Sequence, residues 1–284
     1  MQQYRNGDLT FDVDDSGPDG GDPDKGDVVL LLHGYPENRS SWHAVTPLLT
    51  AAGFRVLAPD QRGYSPGARP LRRRDYGSAL LAADVVALAD AAGASKVHVV
   101  GHDWGGAVAW AFASLHPDRC ATVTSLCTPH PRAMVASMVR SSQLARSWYM
   151  VAFQLPFLPE MTLRGSGAKA ARRKLVATGL PEDAADRYLG PLVADPKAAR
   201  AALNWYRGLP FSKPLKGKIE VPALYVYPTN DAFLGRKAAN LTGNYVAAPY
   251  RYEVLDGRSH WLPEEAPDEV AALLLSHFRQ QAPS

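Results

Sequence analysis

The sequence predicts an α/β protein: a mostly parallel sheet flanked by helices, with an inserted α-helical cap. Three observations carry this. Short apolar runs such as Val28 to Leu32, Lys96 to Val100 and Ala121 to Leu126 alternate with stretches of helical periodicity, the grammar of strand–helix–strand units. After Pro129-His130-Pro131 the alternation stops, and residues up to about Lys218 read as helical, Met- and aromatic-rich and interrupted by prolines. The strand grammar then returns at Val221 to Tyr227 and at Tyr250 to Leu255.

The remaining elements follow in order. Leu9 to Val13 alternates like a half-exposed strand, and the Gly/Asp/Pro-rich stretch from Ser16 to Asp27 is a long turn. Phe54 to Ala58 is another apolar strand. Ala79 to Ala92 places Leu81, Val85 and Leu88 on one helical face and stops at Gly93. Gly105 to Leu115 reads as the helix behind the Lys96 strand, and an amphipathic helix runs from Asp268 to about Arg279. The economical division is a core of residues 1–130 and 218–284 and a cap of residues 131–217. Such a cap covers the carboxyl ends of the strands, where open α/β sheets bind ligands.

Composition bounds the function. A chain of 284 residues with 46% hydrophobic and 21% charged residues is an ordinary globular protein. No apolar run approaches the roughly 20 residues that span a bilayer. MQQYRNGDLTFDVDD lacks the apolar core of a secretory signal, so the expected setting is cytoplasmic. The two cysteines, Cys120 and Cys127, read as packed free thiols and exclude a disulfide framework. The net charge of +3 is spread along the chain. Its densest basic run, Arg72-Arg73-Arg74, reads as a solvated loop; without interleaved aromatics or a second basic stripe it predicts no nucleic-acid partner. Lys169 to Lys174 reads as the outer face of a helix.

The strongest local signal is Val99-Val100-Gly101-His102-Asp103-Trp104-Gly105-Gly106. An apolar strand runs into Gly-x-Asp-x-Gly and a helix begins at once, the pattern of a nucleophile elbow with Asp in place of Ser. The turn is so tight that side chains flanking the central residue would collide, and the central residue is pushed out above the sheet. The plain alternative is a surface Asp capping the helix. Upstream, His33-Gly34-Tyr35-Pro36-Glu37 directly follows a strand, where such folds supply an oxyanion-hole N–H. The expected donors are the N–H groups of Tyr35 and Trp104, and His33 reads as structural. Asp231, just past one strand, and His260, just past the last, complete the chain order nucleophile, acid, histidine. Asp256 is a rival acid, but it is too close in sequence to approach the His260 ring from behind.

An Asp nucleophile changes the chemistry. A carboxylate attacks an sp³ carbon and leaves an alkyl ester, which suits an epoxide or a carbon–halogen bond. His260 then activates the water that attacks the Asp103 carbonyl carbon, and Asp231 holds the imidazole tautomer. Epoxide opening needs a proton donor for the departing alkoxide. Two cap segments, Ser147 to Pro156 with Tyr149 and Asn204 to Arg207 with Tyr206, carry tyrosines in an aromatic, apolar context. Either alone reads as a core aromatic; together with the elbow they read as donors.

With those motifs in place, the chain resembles the epoxide hydrolase branch of the α/β-hydrolase superfamily. The resemblance runs from His33-Gly34-Tyr35-Pro36-Glu37 through Pro59-Asp60-Gln61-Arg62-Gly63-Tyr64-Ser65 and the Asp103 elbow to Ser259-His260-Trp261. Tyr149 ahead of Phe153-Gln154, and Asn204-Trp205-Tyr206-Arg207, look like the family's two ring-opening tyrosine segments. The resemblance implies the α/β-hydrolase fold with a helical cap, no cofactor, no metal and a cis Tyr35–Pro36 bond. It also implies a small hydrophobic epoxide and water as substrates, handled by a monomer or homodimer without a membrane span.

Haloalkane and haloacid dehalogenases share the Asp elbow and rank second. Haloalkane dehalogenases also share the Trp after it, but tend to have Asn where Tyr35 stands. Fluoroacetate dehalogenases usually show Arg after the nucleophile and a His-Trp pair where this chain has Trp148-Tyr149. A non-catalytic ligand binder has no need of nucleophile, histidine, acid and two tyrosines. A serine-type esterase lacks its serine at the elbow.

Overall fold

The computed structural model describes residues 1–18, 27–138, 148–155, 157–163 and 166–280, with the side chains of Trp148 and Tyr149 outside that description. The strands are β1 (Gln3–Asn6), β2 (Leu9–Ser16), β3 (Val28–Leu32), β4 (Arg55–Pro59), β5 (Val97–His102), β6 (Cys120–Leu126), β7 (Ala223–Pro228) and β8 (Tyr250–Leu255). They form one eight-stranded sheet in the order β1-β2-β4-β3-β5-β6-β7-β8. Strands β3 to β8 run parallel, and β1 and β2 add an antiparallel edge.

The apolar runs are continuous because both faces of the sheet are covered. Leu30, Leu32 and Val99 point into one core, and Val29, Leu31 and Val100 into the other, the two-residue period of a strand. The first core lies beneath helices α2 (Ser78–Ala91) and α3 (Trp104–Leu115). The second lies beneath α1 (Thr46–Thr50) and the last helix, Pro267–Arg279. As expected, α2 ends just before Gly93, whose φ of 72° turns the chain out of the helix.

Two differences from the sequence reading have physical causes. Strand β1, Gln-Tyr-Arg-Asn, was not anticipated; only Tyr4 is buried in it, and its order comes from pairing with β2 rather than from a pattern of its own. Strand β5 continues two residues past Val100, because Gly101 and His102 still pair with Ser125 and Leu126 of β6. That extension brings the chain to the sheet's rim at Asp103.

Between β6 and β7 the described residues form helices and no strand: α4 (Pro131–Met138), α5 (Trp148–Ala152), α6 (Leu158–Met161), α7 (Ser166–Ala177), α8 (Glu182–Ala194) and α9 (Pro196–Arg207). After β7 come α10 (Arg236–Leu241), α11 (Leu262–Glu265) and α12 (Pro267–Arg279). Helix α9 is seated on the core by its aromatic face: Trp205 Nε1 donates to the Arg62 carbonyl at 2.6 Å. Among the described residues no helix is long and apolar enough to cross a membrane. Cys120 and Cys127 are buried free thiols.

Candidate active site

Four loops at the carboxyl ends of β3, β5, β7 and β8 converge on Asp103. The residue sits in the sharp turn between β5 and α3 with φ 48° and ψ −119°, a backbone conformation that costs a non-glycine residue energy and is held by its surroundings. Gly105 makes the turn possible: a Cβ there would lie 2.0 Å from the Leu32 carbonyl oxygen. Gly34 does the same from β3, since a Cβ there would come within 2.5 Å of the Asp103 Cβ. Only because both are glycine does the Tyr35 backbone reach the carboxylate.

The Tyr35 N–H donates to Asp103 Oδ1 at 2.9 Å. Trp104 opens helix α3, and its N–H is among the first donors of the helix, which have no partner within it. The peptide bond between Tyr35 and Pro36 is cis. His33 makes local bonds: its Nδ1 donates to the Gly34 carbonyl at 2.9 Å and its Nε2 accepts from Gln61 N at 3.1 Å.

On the other side of Asp103, His260 Nε2 stands 3.6 Å from Oδ2. His260 Nδ1 meets Asp231 Oδ2 at 2.8 Å. Asp231 is itself fixed, Oδ1 accepting from Phe233 N at 2.7 Å and Leu234 N at 2.9 Å. The loops bearing the pair are knitted together, since Asn230 N donates to the Arg258 carbonyl at 2.9 Å. The rival, Asp256, points elsewhere and accepts from Thr229 Oγ1 at 2.9 Å.

Burial works against charge on His260, but the Asp231 carboxylate, with Asp103 beside it, outweighs burial and holds the imidazole pKa well above its ordinary value. Burial likewise opposes ionisation of Asp103, and the bond and charge of His260, with His102 and the Tyr35 N–H, overcome it and lower the carboxyl pKa. Both shifts favour the ionised Asp103 carboxylate and the protonated His260 ring.

Tyr206 enters from helix α9. Its ring meets Tyr35 edge-on at 5.2 Å, Trp104 at 4.9 Å and Phe153 at 4.9 Å. Tyr206, Asp103, His260 and Tyr35 line one cavity of about 60 Å³, with Leu175, Phe233 and Trp261 completing its apolar wall. Tyr149 falls on α5, and its side chain lies outside the described residues.

One pair had no assigned part in the sequence reading. Glu37 and His102 are both fully buried directly behind the site, with His102 Nδ1 2.8 Å from Glu37 Oε1. Glu37 also accepts from the Gly34 N–H, and His102 Nε2 lies 2.8 Å from the His260 carbonyl oxygen. Burial opposes protonation of His102, but Glu37 overrides it and raises the pKa well above its ordinary value. The pair thus ties the backbone of the β3 turn to the backbone of His260. Its signal was an acid and a histidine each lying inside a motif already singled out.

His102, Cys127 and His260 bring donor atoms within 4.8 Å of one another, the spacing of a metal cluster. Each donor has other work. His260 faces two carboxylates, His102 faces Glu37, and Cys127 Sγ donates to the His260 carbonyl at 3.1 Å. The donor set fits a hydrogen-bonded frame better than a resident metal.

Comparison with known proteins agrees with this geometry. Residues 27–267 match the α/β-hydrolase fold family. Epoxide hydrolase A of Mycobacterium tuberculosis is 36% identical, covering 87% of this chain and 89% of that protein. Human epoxide hydrolase 4 is 31% identical, covering 89% of this chain and 73% of that protein. The crystal structure of epoxide hydrolase A from Mycobacterium thermoresistibile superposes with a TM-score of 0.81 at 28% identity, over 98% of this chain and 97% of that one. Fold, converging loops and relatives lead to one placement: the chain belongs to the epoxide hydrolase branch of the α/β-hydrolase superfamily.

Proposed function

We propose that the protein hydrolyses small hydrophobic epoxides to vicinal diols through a covalent ester on Asp103. The observation that carries this reading is the small cavity that Asp103, His260 and Tyr206 line together. A carboxylate alone suits any sp³ electrophile; the phenol adds the proton that an epoxide, unlike a halide, requires.

Asp103 Oδ1 is tethered by the Tyr35 N–H, which leaves Oδ2 to attack. As the Oδ2–carbon bond forms, the ring C–O bond breaks and the alkoxide takes a proton from Tyr206, with Tyr149 as the second donor. Esterification removes the Asp103 charge. His260 loses one of the two carboxylates that hold its proton, its pKa falls, and it passes that proton to the tyrosinate, so that it is a free base when water must be activated. That water attacks the Asp103 carbonyl carbon while the Tyr35 and Trp104 N–H groups stabilise the oxyanion. Collapse expels the diol oxygen, which takes the remaining proton of the attacking water, and leaves Asp103 ionised beside the imidazolium formed when His260 took the first.

In the same proposal, residues 131–217 act as the cap, and the protein works in the cytoplasm as a monomer or homodimer. The test is a single turnover in oxygen-18 water. The first diol should be unlabelled and the heavy atom should appear in Asp103; label in the first diol would overturn the ester mechanism. Halide release from haloalkanes without diol formation from epoxides would favour dehalogenation instead.

A further inference from the structure

A second cavity, of about 810 Å³, lies on the outer side of the cap helix α9, lined by residues 66–73 of the core, by Phe157 and Glu160, and by residues 195–207. Its two acids are committed: Asp195 pairs with Arg69 at 2.7 Å and Glu160 with Arg207 at 2.6 Å. Arg73, Lys197 and Arg200 are exposed, and among the described residues none has a salt-bridge partner. In a chain whose net charge is only +3, that is a concentrated positive face.

The same cavity is edged by exposed apolar side chains: Phe157 is 75% exposed and Leu71 69%. Phe157 is held out at φ 65°, a strained conformation for an aromatic residue, so its exposure costs both backbone and hydration energy. Arg207 steadies this edge by donating to the Phe153 carbonyl at 2.8 Å and the Leu155 carbonyl at 2.7 Å.

Apolar groups projecting beside unpaired cations are the two requirements for peripheral binding to anionic lipid. A second copy of the chain fits less well, since a two-fold contact would set Arg73, Lys197 and Arg200 against the same cations with no uncommitted acid between them. We infer that this face of the cap docks onto an anionic phospholipid surface, with Phe157 and its apolar neighbours entering the interface and Arg73, Lys197 and Arg200 facing the headgroups. Docking there would hold the enzyme where sparingly soluble apolar molecules accumulate. The inference stands apart from the epoxide chemistry, because lipid binding is measured without turnover.

The experiment is sedimentation of the whole protein with vesicles of mixed phosphatidylglycerol and phosphatidylcholine, against phosphatidylcholine alone. Binding to the anionic vesicles should weaken as salt rises. A basic side chain near an anionic surface strengthens binding about fivefold, so the triple variant Arg73→Glu, Lys197→Glu, Arg200→Glu should bind at least about a hundredfold more weakly. Phe157→Ser should also weaken binding, and both variants should keep wild-type turnover of a water-soluble epoxide. Failure of the wild type to sediment with anionic vesicles at low salt would overturn the inference, as would undiminished binding by both variants. So would a lipid-free dimer that the same substitutions abolish, which would assign the face to self-association.

Discussion

His260 Nε2 stands 3.6 Å from Asp103 Oδ2, while its other ring nitrogen meets Asp231 at 2.8 Å. The imidazole is thus placed to serve the carboxyl group rather than to deprotonate it, since the carboxyl is already ionised. His260→Gln should therefore form the ester and fail to hydrolyse it. Intact-protein mass spectrometry with excess epoxide should show one substrate mass added at Asp103, and only unmodified protein would count against the scheme.

The charge argument can be tested separately. Asp103→Asn removes a negative neighbour from His260, so the imidazole pKa should fall. An NMR titration of the ring would record it. An unchanged pKa would mean that Asp231 alone controls the imidazole and that esterification does not release a base.

Tyr206 shares its cavity with Asp103, and Tyr149 is its proposed partner. Tyr206→Phe should slow ester formation about tenfold, because one donor remains. The double variant with Tyr149→Phe should lose on the order of 10²- to 10⁴-fold, the usual range for general acid catalysis. Pre-steady-state measurement of the alkylation step is the readout, and full activity in the double variant would remove the phenols from the reaction.

The elbow has a purely steric requirement. In Gly105→Ala the new methyl group would meet the Leu32 carbonyl at 2.0 Å, a backbone atom in a buried strand that cannot swing aside. The expected cost is at least about 3 kcal/mol of stability, seen as a lowered urea midpoint or as insoluble protein. Wild-type stability would mean that the turn is looser than described.

Three histidines outside the site set an acid limit. Burial lowers the pKa values of His98, His130 and His277 to about 4, from ordinary values near 6.5. Above pH 6.5 both folded and unfolded chains hold them neutral. Between 6.5 and about 4 the unfolded chain takes up protons that the fold refuses, so stability falls through that window by several kcal/mol in all. Urea midpoints that stay level from pH 7 to pH 4 would show that these rings are solvated.

How much of this was legible in the sequence depended on how local the cause was. The apolar runs of β3, β5 and β6 announced themselves because both their faces are buried. β1 did not, since a four-residue polar edge strand exists only through its pairing with β2. The choice of Asp231 over Asp256 could be argued from spacing, but the deciding quantity is direction. Asp231 is turned toward His260 by two backbone N–H groups, and Asp256 is turned away by Thr229.

By itself, the sequence determined what a tight turn can hold: glycines at the elbow and beside it, an acid between them, a histidine after the last strand. The glycines follow from steric rules that act within a few residues, and the acid and the histidine from their places just past strand ends. Only the tertiary structure decided that Glu37 and His102 meet behind the site, that Tyr206 reaches Asp103's cavity from a helix about a hundred residues away, and that Arg73, Lys197 and Phe157 share one face. Such meetings join distant segments through packing, and no local pattern encodes a distance between them.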